Sequence, residues 1–147
     1  MAARMIRLLA LVLRLVLGGS FLYTGALHVL NARDFVQAIA NYELLPPIGT
    51  LLLGLYLPWV EIFAALGVLA RRLYPGALVA MGGMLLVFLG AIVSAWQRGL
   101  DISCGCFREA EKITTHFPQL VARDAAMLAA VAALWAIERR RPPLPGL

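Results

Sequence analysis

The sequence predicts an all-α fold, a four-helix up-down bundle that spans a membrane. Two observations predict it. The 147 residues are 62% hydrophobic and only 14% charged, with a mean hydropathy of +0.84, whereas soluble domains run at about 45–50% apolar and about 25% charged. The apolar residues are also gathered into four stretches, each near the roughly 20 residues a membrane helix requires. A chain of this length predicts a single domain over 1–147.

The first span runs over 5–30 and is interrupted only by Arg14. Arg4 and Arg7 precede it and Gly18-Gly19-Ser20 follows within it, the outline of a signal peptide. Arg14 breaks the apolar core of such a peptide, however, and the hydrophobicity continues past Ser20, so a retained helix is expected. The second span covers 48–70 and contains Pro58 and Glu61; the third covers 76–96; the fourth covers 118–137, with Arg123 and Asp124 in its first two turns. Short connections make consecutive helices antiparallel neighbours. Pro58 cannot donate to the carbonyl of Gly54, which predicts a kink. Gly76, Gly83 and Gly90 recur every seven residues, and Ala122, Ala126, Ala129, Ala133 and Ala136 form a second small-residue stripe; both predict closely packed helix faces.

The formal net charge is +5 and the pI is about 9.9. The basic residues stand singly or at helix ends and form no stripe, which argues against nucleic acid and for a role in membrane orientation. Arg4, Arg7, Arg71, Arg72, Arg139, Arg140 and Arg141 fall on one side, and Arg33, Arg98, Arg108, Lys112 and Arg123 on the other. That bias predicts an inner-membrane protein with both termini in the cytoplasm and the 98–117 loop in the periplasm, where disulfide chemistry is permitted. Arg14 and Glu61 are charges inside spans, which are tolerated when paired. From the span boundaries both lie at similar depth, about 3–5 Å to the inner side of the midplane, so the sequence predicts a structural Arg14–Glu61 pair.

The chemistry sits in Asp101-Ile102-Ser103-Cys104-Gly105-Cys106-Phe107, which holds the only two cysteines. A Cys-x-Cys pair can cycle between dithiol and disulfide if the backbone bends between the sulfurs, and Gly105, lacking a Cβ, permits that bend. So small a ring strains its S–S bond, and strained, exposed disulfides are the oxidising, labile ones. His28, Asn31, Tyr42, Asp101, His116, Arg123 and Asp124 share the outer side with the cysteines. A nearby cation raises the thiolate fraction of a thiol, a role open to Arg123 and to His28. A zinc site built on Cys104, Cys106, His116 and His28 matches no common spacing, so no metal is expected. The short tail Pro142-Pro143-Leu144-Pro145 reads as extended.

Several pieces together resemble a known family: Gly18-Gly19-Ser20-Phe21-Leu22-Tyr23-Thr24-Gly25, Phe35 through Tyr42-Glu43-Leu44-Leu45-Pro46, Leu57-Pro58-Trp59-Val60-Glu61, Ile102-Ser103-Cys104-Gly105-Cys106-Phe107 and Arg123-Asp124. Their order and spacing are similar to those of the MauE/DoxX-like redox-associated membrane proteins, four-helix proteins that include those of methylamine utilisation. Two positions depart from that pattern: His28 stands where members often carry lysine, and Arg108 where they carry glycine. The resemblance implies a redox-linked membrane component working with a soluble partner, and the Cys104–Cys106 pair adds the expectation of a thiol-disulfide oxidoreductase. Its partner would be a periplasmic redox or client protein, such as a methylamine dehydrogenase whose maturation needs disulfides. A looser likeness, to vitamin K epoxide reductase-like enzymes, implies a quinone as the one candidate cofactor. Two rival readings follow from the same residues: a non-catalytic membrane anchor or assembly subunit with a static Cys-Gly-Cys, and a quinone-linked subunit of a DoxX-type complex.

Overall fold

The computed structural model describes residues 1–71, 74–100 and 117–140. Among the described residues there are five helices: α1 (Ala2–Leu30), α2 (Ala32–Ala40), α3 (Pro47–Leu69), α4 (Tyr74–Gln97) and α5 (Phe117–Arg139). Four of them, all but α2, are long and apolar enough to cross a membrane. The chain is thus all-helical among the described residues, and its long helices form the expected four-helix membrane bundle.

The distribution of side chains shows why water cannot be its solvent. Leu8, Leu9, Leu15, Val16, Leu52, Leu55, Phe63, Leu86 and Val87 are exposed, whereas His28, Thr50, Glu61 and Asp124 are buried. An apolar exterior around polar interior groups matches a lipid surround, in which each backbone and side-chain polar group must find its partner inside the protein. The spans close into a ring in which α1 packs on α3, α3 on α4, α4 on α5 and α5 back on α1. A shared core of Leu17, Phe21, Val68, Leu78, Met81, Leu85 and Leu134 fills its centre.

The α1–α3 contact is the most extensive and is made close by glycine. A Cβ on Gly25 would lie 3.2 Å from both the Glu61 Cβ and the Pro58 carbonyl oxygen, and 2.9 Å from the Ile62 side chain. At Gly18 a Cβ would meet Leu69 at 2.6 Å. These two glycines, seven residues apart, let the helix backbones approach, which is how packing is gained in lipid. They also set the antiparallel register: Gly25 lies level with Glu61, and Gly18 with Leu69. Pro58 sits inside α3 without ending it, fully buried at this contact.

The stripes expected to pack do not. A Cβ on Gly76, Gly83 or Gly90 would meet nothing within 4 Å, and all three are exposed. Ala122, Ala126, Ala129 and Ala136 are exposed as well, because α5 turns Asp124, Val131 and Leu134 inward. The small-residue period was legible, but not which face of the helix meets a neighbour.

The first connection, expected to be a loop, contains α2. This short helix is amphipathic and buries Phe35 and Ala38. It lies so close to α3 that a Cβ on Gly54 would meet Val36 at 2.4 Å. Glu43, at φ 51°, then turns the chain toward α3. At the far end of α4 the helix closes in a Schellman motif. Gly99, at φ +66°, donates its N–H to the Trp96 carbonyl at 3.1 Å, and Leu100 donates to that of Ala95 at 3.0 Å.

Replacing Gly25 with Leu should therefore force α1 and α3 apart and cost about 1–3 kcal/mol of stability. Gly83→Leu, into open space, should stay within about 0.5 kcal/mol. Unfolding of the two variants in the same detergent checks the contrast.

Candidate functional site

A cavity of about 320 Å³ opens between the helices. Phe21, Phe35, Ile39, Leu85, Phe88 and Met127 make most of its wall apolar, and Tyr42, Glu61, Arg123 and Asp124 supply its polar points. Each of the four spans contributes, with α2 acting as a lid over one side.

Glu61 does not pair with Arg14, as the span boundaries had suggested. Its Oε2 lies 3.0 Å from Nδ1 of His28, and the two residues are only 3% and 2% exposed. Register is the reason. Gly25 is level with Glu61, and Arg14 lies eleven residues earlier, about 16 Å away along α1. His28, one turn beyond Gly25, leans back toward the N-terminus of α1, as helical side chains do, and so meets the carboxylate. With the carboxylate ionised, Nδ1 carries the hydrogen of this bond, and with the carboxyl protonated the oxygen carries it. The imidazole stacks on Phe35 with ring centroids 3.8 Å apart. Its Nε2 is buried and has no hydrogen-bond partner among the described residues.

The second polar point comes from α5. Asp124 is 2% exposed. Arg123 donates to its Oδ1 from Nε at 3.1 Å, and its Nη2 lies 3.1 Å from the same oxygen. A sequence-adjacent pair of this kind brings its own counter-charge into the span, which lowers the penalty of both charges. Thr24, also on the wall, settles its hydroxyl within α1 by donating to the Ser20 carbonyl at 3.0 Å.

Cys104, Gly105, Cys106, Asp101, Arg108 and His116 lie outside the described residues, as does the Pro142–Pro145 tail. The residues flanking that segment are described. Trp96 and Phe117 stack with parallel rings, 6.1 Å between centroids. Leu100 and Phe117 pack against the cluster of Tyr42, Ile92 and Ala95, and Tyr42 and Ile92 line the cavity. Arg98, just past the end of α4, donates to the Tyr42 carbonyl, which ties the α2–α3 turn to the same end of the bundle. Of the residues singled out in the sequence, Tyr42, Glu61, Arg123 and Asp124 thus meet at one cavity. His28 stands behind it on Glu61, and Arg14 belongs to the opposite end. The apolar wall of Phe21, Phe35 and Phe88 was not foreseen. Its only signal was the amphipathic spacing of Phe35, Ala38 and Ile39 inside the first connection.

Fold and site define the class: a multi-pass membrane protein whose four spans enclose an apolar cavity bearing two acid–base pairs. Within that class the chain belongs to the MauE family, for the family model described as methylamine utilisation protein MauE matches residues 6–137. The methylamine utilization protein MauE of Paracoccus denitrificans is 33% identical over 101 residues, which cover 68% of this chain and 54% of the relative. The aligned region therefore spans about half the length of that relative. No solved structure matches the chain.

Replacing His28 with Phe leaves the Glu61 carboxylate buried without its partner and should cost about 2–3 kcal/mol. The double variant His28→Phe, Glu61→Leu should recover most of that loss, because both polar groups are then gone. Unfolding of the three proteins in detergent measures the coupling.

Proposed function

We propose that this protein exchanges thiol and disulfide through Cys104 and Cys106 on the periplasmic side of the inner membrane. The exchange would serve the maturation of an exported partner in methylamine utilisation, such as a methylamine dehydrogenase. One observation carries the reading: the segment that holds both cysteines leaves and re-enters the bundle beside a single cavity, whose polar points are Tyr42, Glu61 and the Arg123–Asp124 pair. The family supports the pathway, and the Cys-Gly-Cys sequence supports the chemistry.

In the exchange, a client thiolate attacks one sulfur of the Cys104–Cys106 disulfide. The S–S bond breaks as the mixed disulfide forms, and the displaced sulfur leaves as a thiolate. A second client thiolate then attacks the client sulfur of the mixed disulfide. The client departs with the new disulfide and the pair is left as a dithiol, two electrons having passed to it. Arg123, with its side chain 34% exposed, would be the cation that favours the leaving thiolate. His28 is engaged by Glu61, so its contribution is to hold that carboxylate.

A second reading rests on the cavity itself. Its volume lies at the lower end of the roughly 300–1,000 Å³ that small-molecule sites occupy. An aromatic-rich wall with charged pairs suits the flat ring of a quinone, which would accept the electrons of the dithiol.

After mild reduction, a membrane-impermeant maleimide should label Cys104 and Cys106 together from outside intact cells. In a Cys106→Ser variant the Cys104 thiolate can attack the disulfide of an oxidised client, releasing one client thiolate, and with no second cysteine to resolve the bond it should trap that client as a mixed disulfide. Sulfurs that react only after unfolding, or only from the cytoplasmic side, would overturn the exchange reading. Quinone reduction by the purified protein with a dithiol donor, weakened by Ser20→Leu in the cavity wall, tests the second.

A further inference from the structure

The end of the bundle opposite the cysteine segment holds a second cavity, of about 200 Å³, lined by Arg7, Ala10, Leu11 and Arg14 of α1 together with Arg71, Tyr74 and Glu138. On α1 the lining residues follow the i, i+3, i+4, i+7 spacing of one helix face. Arg7 and Arg14 therefore stand two turns apart on the same stripe. Three guanidinium groups share this space with one carboxylate. The Arg71–Glu138 pair is loose, at 3.7 Å, with the arginine side chain 45% exposed. One carboxylate against three guanidinium groups leaves this lining with a net positive charge.

One detail points to a ligand. The Nε of Arg14 is buried and has no hydrogen-bond partner among the described residues, although a guanidinium inside a span is costly without a counter-charge. Arg71 closes α3 in a left-handed backbone, φ 57°, at the position just past the C-cap Ala70 where helices commonly end in this way. A cluster of arginines between helix ends matches phosphate best, because the planar guanidinium donates in pairs to phosphate oxygens. Basic pockets between spans are used in this way for anionic lipid head groups.

We propose that this cavity is a phosphate site, built by Arg7, Arg14 and Arg71 with Tyr74 at its wall, and that it takes the phosphodiester of an anionic membrane lipid. The site stands apart from the cysteine chemistry, and its test does not depend on that reading. The full chain, purified in mild detergent, is incubated with phosphatidylglycerol, phosphatidylcholine or inorganic phosphate. Native mass spectrometry then reads bound lipid, and thermal unfolding reads stabilisation. Phosphatidylglycerol should be retained over phosphatidylcholine, and Arg14→Gln should lower that retention about fivefold. Arg7→Gln and Arg71→Gln, which alter exposed side chains, should each lower it as well and guard against misfolding of the Arg14 variant. Stabilisation by inorganic phosphate that the same variants abolish, without lipid retention, would keep the phosphate site and reassign its source to a free anion. Equal retention of the two lipids, or retention unchanged in all three variants together with no response to phosphate, would overturn the proposal.

Discussion

A carboxyl group in the middle of an apolar helix has to be satisfied from inside the protein, and the hydrogen bond between His28 and Glu61 is how this bundle does it. The bond forms only if α1 and α3 lie close together in one register. Gly18 and Gly25 supply the closeness; His28, one turn further, supplies the partner. Interhelical hydrogen bonds in membranes contribute modestly to stability, about 0.6 kcal/mol on average. Leaving one partner alone in the span is much more costly. The pair therefore acts chiefly to reject other registers, and the α1–α3 unit becomes the frame on which α2, α4 and α5 are hung.

That frame explains the cavity. With Glu61 held against α1, the space between it and α5 is bounded by aromatic and aliphatic side chains and met from the far side by Arg123 and Asp124. Each charged group in this interior arrives with a partner of opposite kind, so the walls stay apolar between two polar points. α2 completes the enclosure through Phe35, which stacks on the imidazole and faces the cavity at once. The stacked Trp96 and Phe117 then gather both ends of the cysteine segment at the rim. Charge is thus divided between the two ends of the molecule: matched pairs beneath the cysteine segment, and an excess of arginine at the other end.

How much of this could be read from the chain depended on whether the signal was local. Four spans were legible because each is a continuous apolar run, and Arg123-Asp124 stood out as charges inside one of them. The Schellman close of α4 and the course of α2 carried weaker local signals, a lone Gly99 and the spacing of Phe35, Ala38 and Ile39. Long-range pairings carried none. Arg14 and Glu61 seemed level when each helix was centred on its own apolar run. In the bundle α1 is displaced along α3 by several turns, which carries Arg14 to the level of Arg71 and gives Glu61 to His28. The glycines that matter are Gly18, Gly25 and Gly54, whereas the more regular series Gly76, Gly83 and Gly90 faces outward.

By itself the sequence determined that the chain spans a membrane four times, that its two cysteines lie between the third and fourth spans, and that it resembles redox-associated membrane proteins. These properties follow from composition, run length and short motifs, which act within one segment. The tertiary structure decided which polar groups pair, which small residues face a neighbour, and that Tyr42, Glu61, Arg123 and Asp124 surround one space. Those outcomes depend on the rotation and axial shift of each helix against the others. In lipid, helices of equal hydrophobicity are distinguished only by close packing and by the partners their few polar groups can reach.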